Sequence, residues 1–200
     1  MFTPQQTTPS QIALFGQGSS RSPLGDATLA SLFAQAFAAF PATDQRVLTV
    51  IPHVPVMSTL PRVFDTLYAT LAPRLTALDL LLPPGATLPS LHYPRTHYLV
   101  QPTLSSPGPT IDSTLPPFDL ALLQHITPYH HLLLLGALTT PETLSPIVAR
   151  TLAEGLATVR PVTCVAIVQS ATTLHGLYIG HHVHTWRMAA NLAACLSPTA

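Results

Sequence analysis

The chain has 200 residues, 47% of them hydrophobic and 8% charged, and its eight basic residues, all Arg, balance eight acidic ones. This excludes a mostly disordered chain, because disordered segments are poor in apolar residues and rich in charge. It also argues against nucleic-acid binding and against a polybasic membrane contact, since both need clustered basic charge.

One domain with a real core is expected at this length. Pro is high at 22, Gly low at 9 and His frequent at 10. A cytosine-rich coding strand would produce that bias without any functional demand. A mean hydropathy of +0.37 and a weakly charged surface predict that some surface is covered in a homo- or hetero-oligomer. Cys164 and Cys195 lack Cys-x-x-Cys spacing. They are expected to be two buried thiols in a reducing compartment. The first residues lack the basic and apolar regions of a secretion signal. The apolar runs fall far short of the roughly 20 residues that a membrane helix needs. The expected address is the cytoplasm.

Residues 1–24 are rich in Gln, Thr, Ser, Pro and Gly. They are expected to form a flexible tail, with at most one edge strand around Ile12–Phe15. Gly16 to Ser20 is not a phosphate loop, because the Gly-Lys-Ser/Thr ending is missing. From Asp26, a plausible N-cap, Leu29, Leu32, Phe33, Ala36, Phe37 and Phe40 recur at helical spacing until Pro41. Arg46–Ile51 reads as a buried strand. Ser58–Leu71 reads as a helix with Pro61 in its first turn. Leu78–Leu82 reads as a second strand, closed by Pro83-Pro84-Gly85. Residues 83–117 read as a long loop, with one short strand at Tyr98–Val100. Phe118–Leu123 and His131–Leu135 are strand-like. Thr140-Pro141-Glu142 starts a helix with its apolar face at Leu144, Ile147, Val148, Leu152 and Leu156. Val162–Val168 is a strong strand with a hairpin partner at Leu174–Ile179, and Val183–Leu196 is a closing helix.

Strand and helix alternate at the spacing of βαβ units. The expectation is one α/β domain over residues 25–200, with a mixed, mostly parallel sheet flanked by helices, Rossmann-like. Ligands bind such sheets beyond the carboxyl ends of the strands. The loops beginning at Pro52, Pro83, Gln124 and Ser170 are therefore of first interest.

His is the side chain best placed to act as a general base near neutral pH. His53 directly follows the first core strand. His125, His130 and His131 surround Thr127-Pro128-Tyr129. These make His53, His130 and His131 the catalytic candidates. His92 and His97 share the long loop with Arg95 and suit an anion. His181 and His184 share a helical face at i, i+3, a spacing that can ligate a metal if a third ligand arrives from elsewhere. No Gly-x-Ser-x-Gly elbow supports an α/β-hydrolase. Glu142 and Glu154, the two glutamates, lie on one expected helix.

Several short motifs resemble the N-terminal domain of the lactate racemase-like, nickel-pincer nucleotide family, over roughly residues 25–196. Val50-Ile51-Pro52-His53-Val54-Pro55 stands where that family ends its first strand in Pro-Asp-x-Thr-Arg. Pro84-Gly85-Ala86-Thr87-Leu88-Pro89 stands at its Gly-Thr-His motif. Pro128-Tyr129-His130-His131 resembles its Pro-His segment, and Gly136 to Thr143 its Pro-Glu-Thr helix start. Val165–Leu177, followed by Tyr178-Ile179-Gly180-His181, resembles its strand hairpin and turn. The resemblance implies the fold and a retained small-molecule pocket with Thr87 in it; together with the loop residues His92 and Arg95 these are the ligand-binding candidates. It also shows what is missing: the family's Asp and Arg after the first strand, its catalytic His (here Thr87), its glycine-rich loop and its tethering Lys. Nickel-pincer nucleotide would bind only without a lysine tether.

The leading expectation is therefore a degenerate racemase-like domain, a non-catalytic or partner-dependent subunit that binds a small molecule. The alternatives are an isomerase-type or metal-dependent enzyme using cleft histidines on a 2-hydroxy acid or similar molecule, and a structural assembly protein.

Overall fold

The computed structural model describes residues 14–38, 40, 45–51, 59–82, 93, 96–100, 126–138 and 153–196. Among the described residues, seven strands form one sheet: β1 (Phe15–Gly18), β2 (Arg46–Val50), β3 (Ala77–Leu82), β4 (Tyr98–Val100), β5 (His131–Leu138), β6 (Val162–Ser170) and β7 (Thr173–Gly180). Their spatial order is β1-β7-β6-β5-β2-β3-β4. The five strands from β4 to β6 pair in parallel. β7 and β1 close one side antiparallel. The chain moves outward from β2 to β4, returns to the other side of β2 as β5, and continues to β6. The switch point of this doubly wound sheet lies between β2 and β5. The architecture is the expected mixed, mostly parallel Rossmann-like α/β fold.

The central strands are buried on both faces, so they read as continuous apolar runs rather than alternating ones. The period-2 geometry still divides them. On one face Val47, Ile51, Leu78, Leu80, Leu133, Leu135, Val165 and Ile167 pack with α1 (Asp26–Ala36) and α2 (Leu60–Leu71). On the other, Leu48, Val50, Leu132, Leu134, Cys164, Ala166 and Val168 pack with α3 (His182–Leu196) and a helical segment over 153–157. The result is three layers.

Each helix buries the stripe its spacing dictates: Leu29, Leu32, Phe33 and Ala36 in α1, and Leu60, Val63, Phe64, Leu67 and Leu71 in α2. Two starts differ from expectation. Gly25, not Asp26, occupies the N-cap of α1, and Asp26 lies in the first turn, where its charge suits the helix dipole. α2 starts at Leu60, with Thr59 at its N-cap. α1 also ends earlier than Pro41 suggested. The Arg74 guanidinium donates to the carbonyls of Phe37 at 2.7 Å and Phe40 at 2.7 Å, and a cation there terminates the helix favourably.

Two further expectations are corrected. The edge strand expected around Ile12–Phe15 lies a little later, at β1, which pairs with β7 from Phe15↔Ile179 to Gly18↔Gly176, and Leu24, read as tail, is buried. An edge of paired backbone groups needs no apolar pattern, so the strand runs on past the apolar patch through Gly16, Gln17 and Gly18. Cys164 is buried, its thiol pushed up to about 12 by burial, but Cys195 is exposed on α3. The expected strand at Phe118–Leu123 and the start of the helix at Thr140 lie outside the described residues. No helix among the described residues is long and apolar enough to cross a membrane.

Candidate functional site

One acidic residue interrupts the apolar run of β3. Asp79 shares a sheet face with Leu81 and is 0% exposed. A carboxylate cannot be withdrawn from water without partners, and the fold supplies three side chains to it. Tyr129, just before β5, donates its hydroxyl to Oδ2 at 2.6 Å. Arg46, the first residue of β2, donates from Nη2 to the same oxygen at 3.2 Å. His97, just before β4, donates its backbone N–H to Oδ1 at 2.8 Å, and its ring Nδ1 lies 3.0 Å from the same atom. All three approach from the amino-end side of parallel strands.

Burial pushes the Asp79 carboxyl up. The hydrogen bonds from Tyr129, from the His97 N–H and ring, and from Arg46 outweigh it, and the group is held below its usual range. It is therefore ionised at neutral pH and can only accept. With Asp79 ionised, the proton of this contact sits on His97 Nδ1, and Nε2 is the ring nitrogen turned away from the carboxylate. The His97 side chain is 71% exposed, so that nitrogen is available to a ligand. Burial, then Asp79, raises the Tyr129 phenol, so it remains a donor. Arg46 sits 5.0 Å from the centre of the Tyr129 ring and is 40% exposed. It touches Asp79 with one nitrogen, and a guanidinium has further donors to offer an anion. The Arg160 guanidinium donates to the carbonyls of Tyr129 at 2.7 Å and Thr127 at 3.1 Å and so fixes the loop that carries the phenol.

The site thus combines an oriented imidazole, a half-exposed guanidinium and a phenol around one buried carboxylate. It can bind a small anion and accept a proton beside it.

The residues singled out in the sequence fare differently. His53, Thr87, His92, Arg95 and His125 lie outside the described residues. His130 is exposed, and its Nδ1 accepts the backbone N–H of Arg46 at 3.2 Å; it braces β2 from the other side of the loop. His131 points to the opposite sheet face from Asp79. Its Nε2 is 2.9 Å from Thr163 Oγ1, its ring meets Phe40 edge-on at 4.7 Å, and burial lowers it to about 4. That environment makes it a packed, neutral strand residue rather than an accessible base. His181 and His184 share the start of α3 with ring centres 6.3 Å apart, and His181 lies 4.0 Å from His182. Glu154 Oε1 is 3.6 Å from His182 Nε2. Among the described residues, no three His, Cys, Asp or Glu converge into a metal-binding group.

Of the loops singled out at strand ends, the one from Gln124 is described from Ile126 on and carries Tyr129, and the one after Ser170 is described in full. Ser170 Oγ lies 2.7 Å from His175 Nε2, and His175 Nδ1 lies 3.2 Å from the Ser19 carbonyl. This chain of contacts fastens the β6–β7 hairpin to the segment after β1.

Asp79, Arg46 and Tyr129 were missed by motif reasoning. The available signal was one carboxylate inside an otherwise apolar strand, which demands partners wherever the strand is buried. Arg46 and Tyr129 lie 33 and 50 positions away and carry no motif.

No protein-family model matches this chain, and no curated protein matches it. Among solved structures, the chain is similar to a Thermotoga maritima structural-genomics protein, with a TM-score of 0.60 and 11% identity. The match covers 88% of this chain and 60% of that one, so the chain spans about three fifths of that structure. A likeness at this identity shows the fold alone.

Proposed function

We propose that this protein binds a small organic acid bearing a hydroxyl group, at the site built on Asp79. The observation that supports it is the fully buried Asp79 carboxylate orienting an exposed His97 beside a half-exposed Arg46. In this reading Arg46 pairs with the ligand's carboxylate, and His97 Nε2 accepts the hydroxyl proton in a hydrogen bond. Asp79 positions both and stays out of reach of the ligand. The reading continues the resemblance to the racemase-like family as a binding domain that lacks the family's reaction.

The family's cofactor does not fit the residues present. Its tether is a lysine, and the sequence has none. The described histidines form no three-ligand group.

The test is titration of the purified chain with lactate or glycolate against propionate or acetate, followed by NMR of the His97 ring. Hydroxy acids should shift the His97 signals more than the matched acids do. Arg46→Ala and His97→Ala should each weaken binding about tenfold or more, the loss expected for a hydrogen bond to a charged group. Equal, non-saturating responses to all four acids would refute the reading.

A second reading is an enzyme that uses His97 as its general base. The Asp79–His97 contact favours it, because a carboxylate that fixes one ring nitrogen leaves the other as the base. Turnover of a 2-hydroxy acid by the isolated chain, lost in His97→Gln, would select this reading over the first.

A further inference from the structure

A second site emerges at the opposite end of the sheet. The switch point lies between β2 and β5, so a ligand of the fold would lie over the carboxyl ends of β2, β5 and β6. Two described residues meet there. Thr59 heads α2, the helix that follows β2, and Gln169 lies near the carboxyl end of β6. They are 110 positions apart, and the Thr59 hydroxyl hydrogen-bonds to Gln169 Oε1.

Three observations concern the same spot. First, Thr59 occupies the N-cap of a 12-residue helix without capping it. Its hydroxyl is turned to Gln169, so the first-turn N–H groups of Leu60 and Arg62 gain nothing from it. Pro61 contributes no N–H. Second, Gln169 is 0% exposed, and its Nε2 has no hydrogen-bond partner among the described residues. Buried amides are ordinarily paired, so a donor left open at a helix N-terminus marks a place for an acceptor. Third, the register of β6 shifts between Val168 and Gln169. Bulges re-aim side chains next to functional sites, and here the shift falls at the residue whose amide meets Thr59. The neighbouring inward positions, Val165 and Ile167, are apolar.

We infer that Thr59, the first turn of α2 and Gln169 Nε2 form a binding site for a phosphate group, carried by a phosphate monoester or present as free phosphate. The helix N-terminus supplies a positive field and N–H donors. Gln169 supplies a side-chain donor from the adjacent strand end, and Thr59 joins the two. Arg62, in the same turn, is held by Asp26 and by the Leu24 carbonyl, so its charge is already paired and it is not a ligand. This site is independent of the Asp79 site, which faces the other side of the sheet.

The experiment is thermal unfolding with phosphorus NMR, on the full chain at constant ionic strength. The probes are inorganic phosphate and a nucleoside monophosphate, with acetate as the control. At a hundredfold excess over the dissociation constant the melting temperature should rise by roughly 5–10 °C. Gln169→Met keeps the length of the side chain and removes the amide; it should abolish the rise while melting at or above the wild-type temperature without ligand. Thr59→Val is the second variant and should abolish the rise as well. His97→Ala should leave the rise intact, which separates this site from the Asp79 reading. A response to the monophosphate but not to free phosphate would identify an ester as the ligand, still at this site. The inference is overturned if neither phosphate probe shifts the wild type more than acetate does, or if Gln169→Met keeps the full shift.

Discussion

The Trp186 indole occupies the place where Gly136 would carry a side chain. A Cβ built on Gly136 would lie 2.4 Å from the far edge of the ring. Gly136 is in β5 and Trp186 in α3, so this contact sets how closely the helix approaches the sheet. Gly136→Ala must push the indole outward or bend the strand. The expected cost is about 1–3 kcal/mol, as for other overpacked cores. Trp186 is the chain's one tryptophan, so its fluorescence reports the displacement directly. An unchanged emission maximum together with an unchanged denaturation midpoint would contradict this packing.

His131 gives the protein an acid-sensitive window. Burial lowers it to about 4, whereas an unfolded His titrates near 6.5. Between those values the unfolded chain binds the extra proton, so stability is fully present above about 6.5 and declines as the pH falls toward 4. The loss should approach about 3 kcal/mol. His131→Leu should flatten that part of the curve. Urea denaturation at pH 4, 5, 6 and 7 measures both slopes.

Asp79 acts in a lower window. Its carboxyl is held below the usual range, so its contribution is present above the unfolded value near 4 and is lost as the pH falls through the folded one. Asp79→Asn should cost on the order of 2 kcal/mol at pH 7, because Tyr129, His97 and Arg46 lose a charged acceptor. The gap between wild type and variant should narrow below pH 4. A gap that stays constant from pH 7 to pH 2 would show that the carboxylate is not the ionised centre of the cluster.

The β6–β7 hairpin turns through Ala171 and Thr172, and Ala171 has a φ of 46°. An L side chain pays steric strain in that left-handed region, and glycine does not. Ala171→Gly should therefore raise stability by about 1 kcal/mol, read as a higher urea midpoint at unchanged slope. A lowered midpoint would mean that the alanine methyl has a role the strain does not outweigh.

The sheet was legible because its strands are buried on both faces. Runs such as Leu78–Leu82, Leu132–Leu135 and Val162–Val168 admit little else between proline and glycine stops. The helices were legible from their stripes, to within a few residues at the ends. The edge strand β1 was legible only in its first residue, Phe15, since Gly16-Gln17-Gly18 carries no pattern, and a strand at the sheet's edge needs a partner more than a signature. The site was less legible still. The histidines at His130, His131, His181 and His184 looked like site residues by position, but the fold uses them as a brace, a half-buried packing residue and a helix start. Asp79 was written in β3 as a single polar residue. Its meaning depends on Tyr129 and His97, which only the folded chain brings to it.

The place of β1 has a consequence for synthesis. It is among the first described residues to leave the ribosome, yet Phe15 pairs with Ile179, about 160 residues later. At bacterial or eukaryotic elongation rates that is roughly 8–30 s during which the segment has no partner. The parallel strands and the helices between them can begin to collapse in that interval, while β1 must wait for the last hairpin. Its attachment is thus a closing step. A nascent chain halted before β7 would carry an unfinished sheet edge and a loose leading segment at the same time.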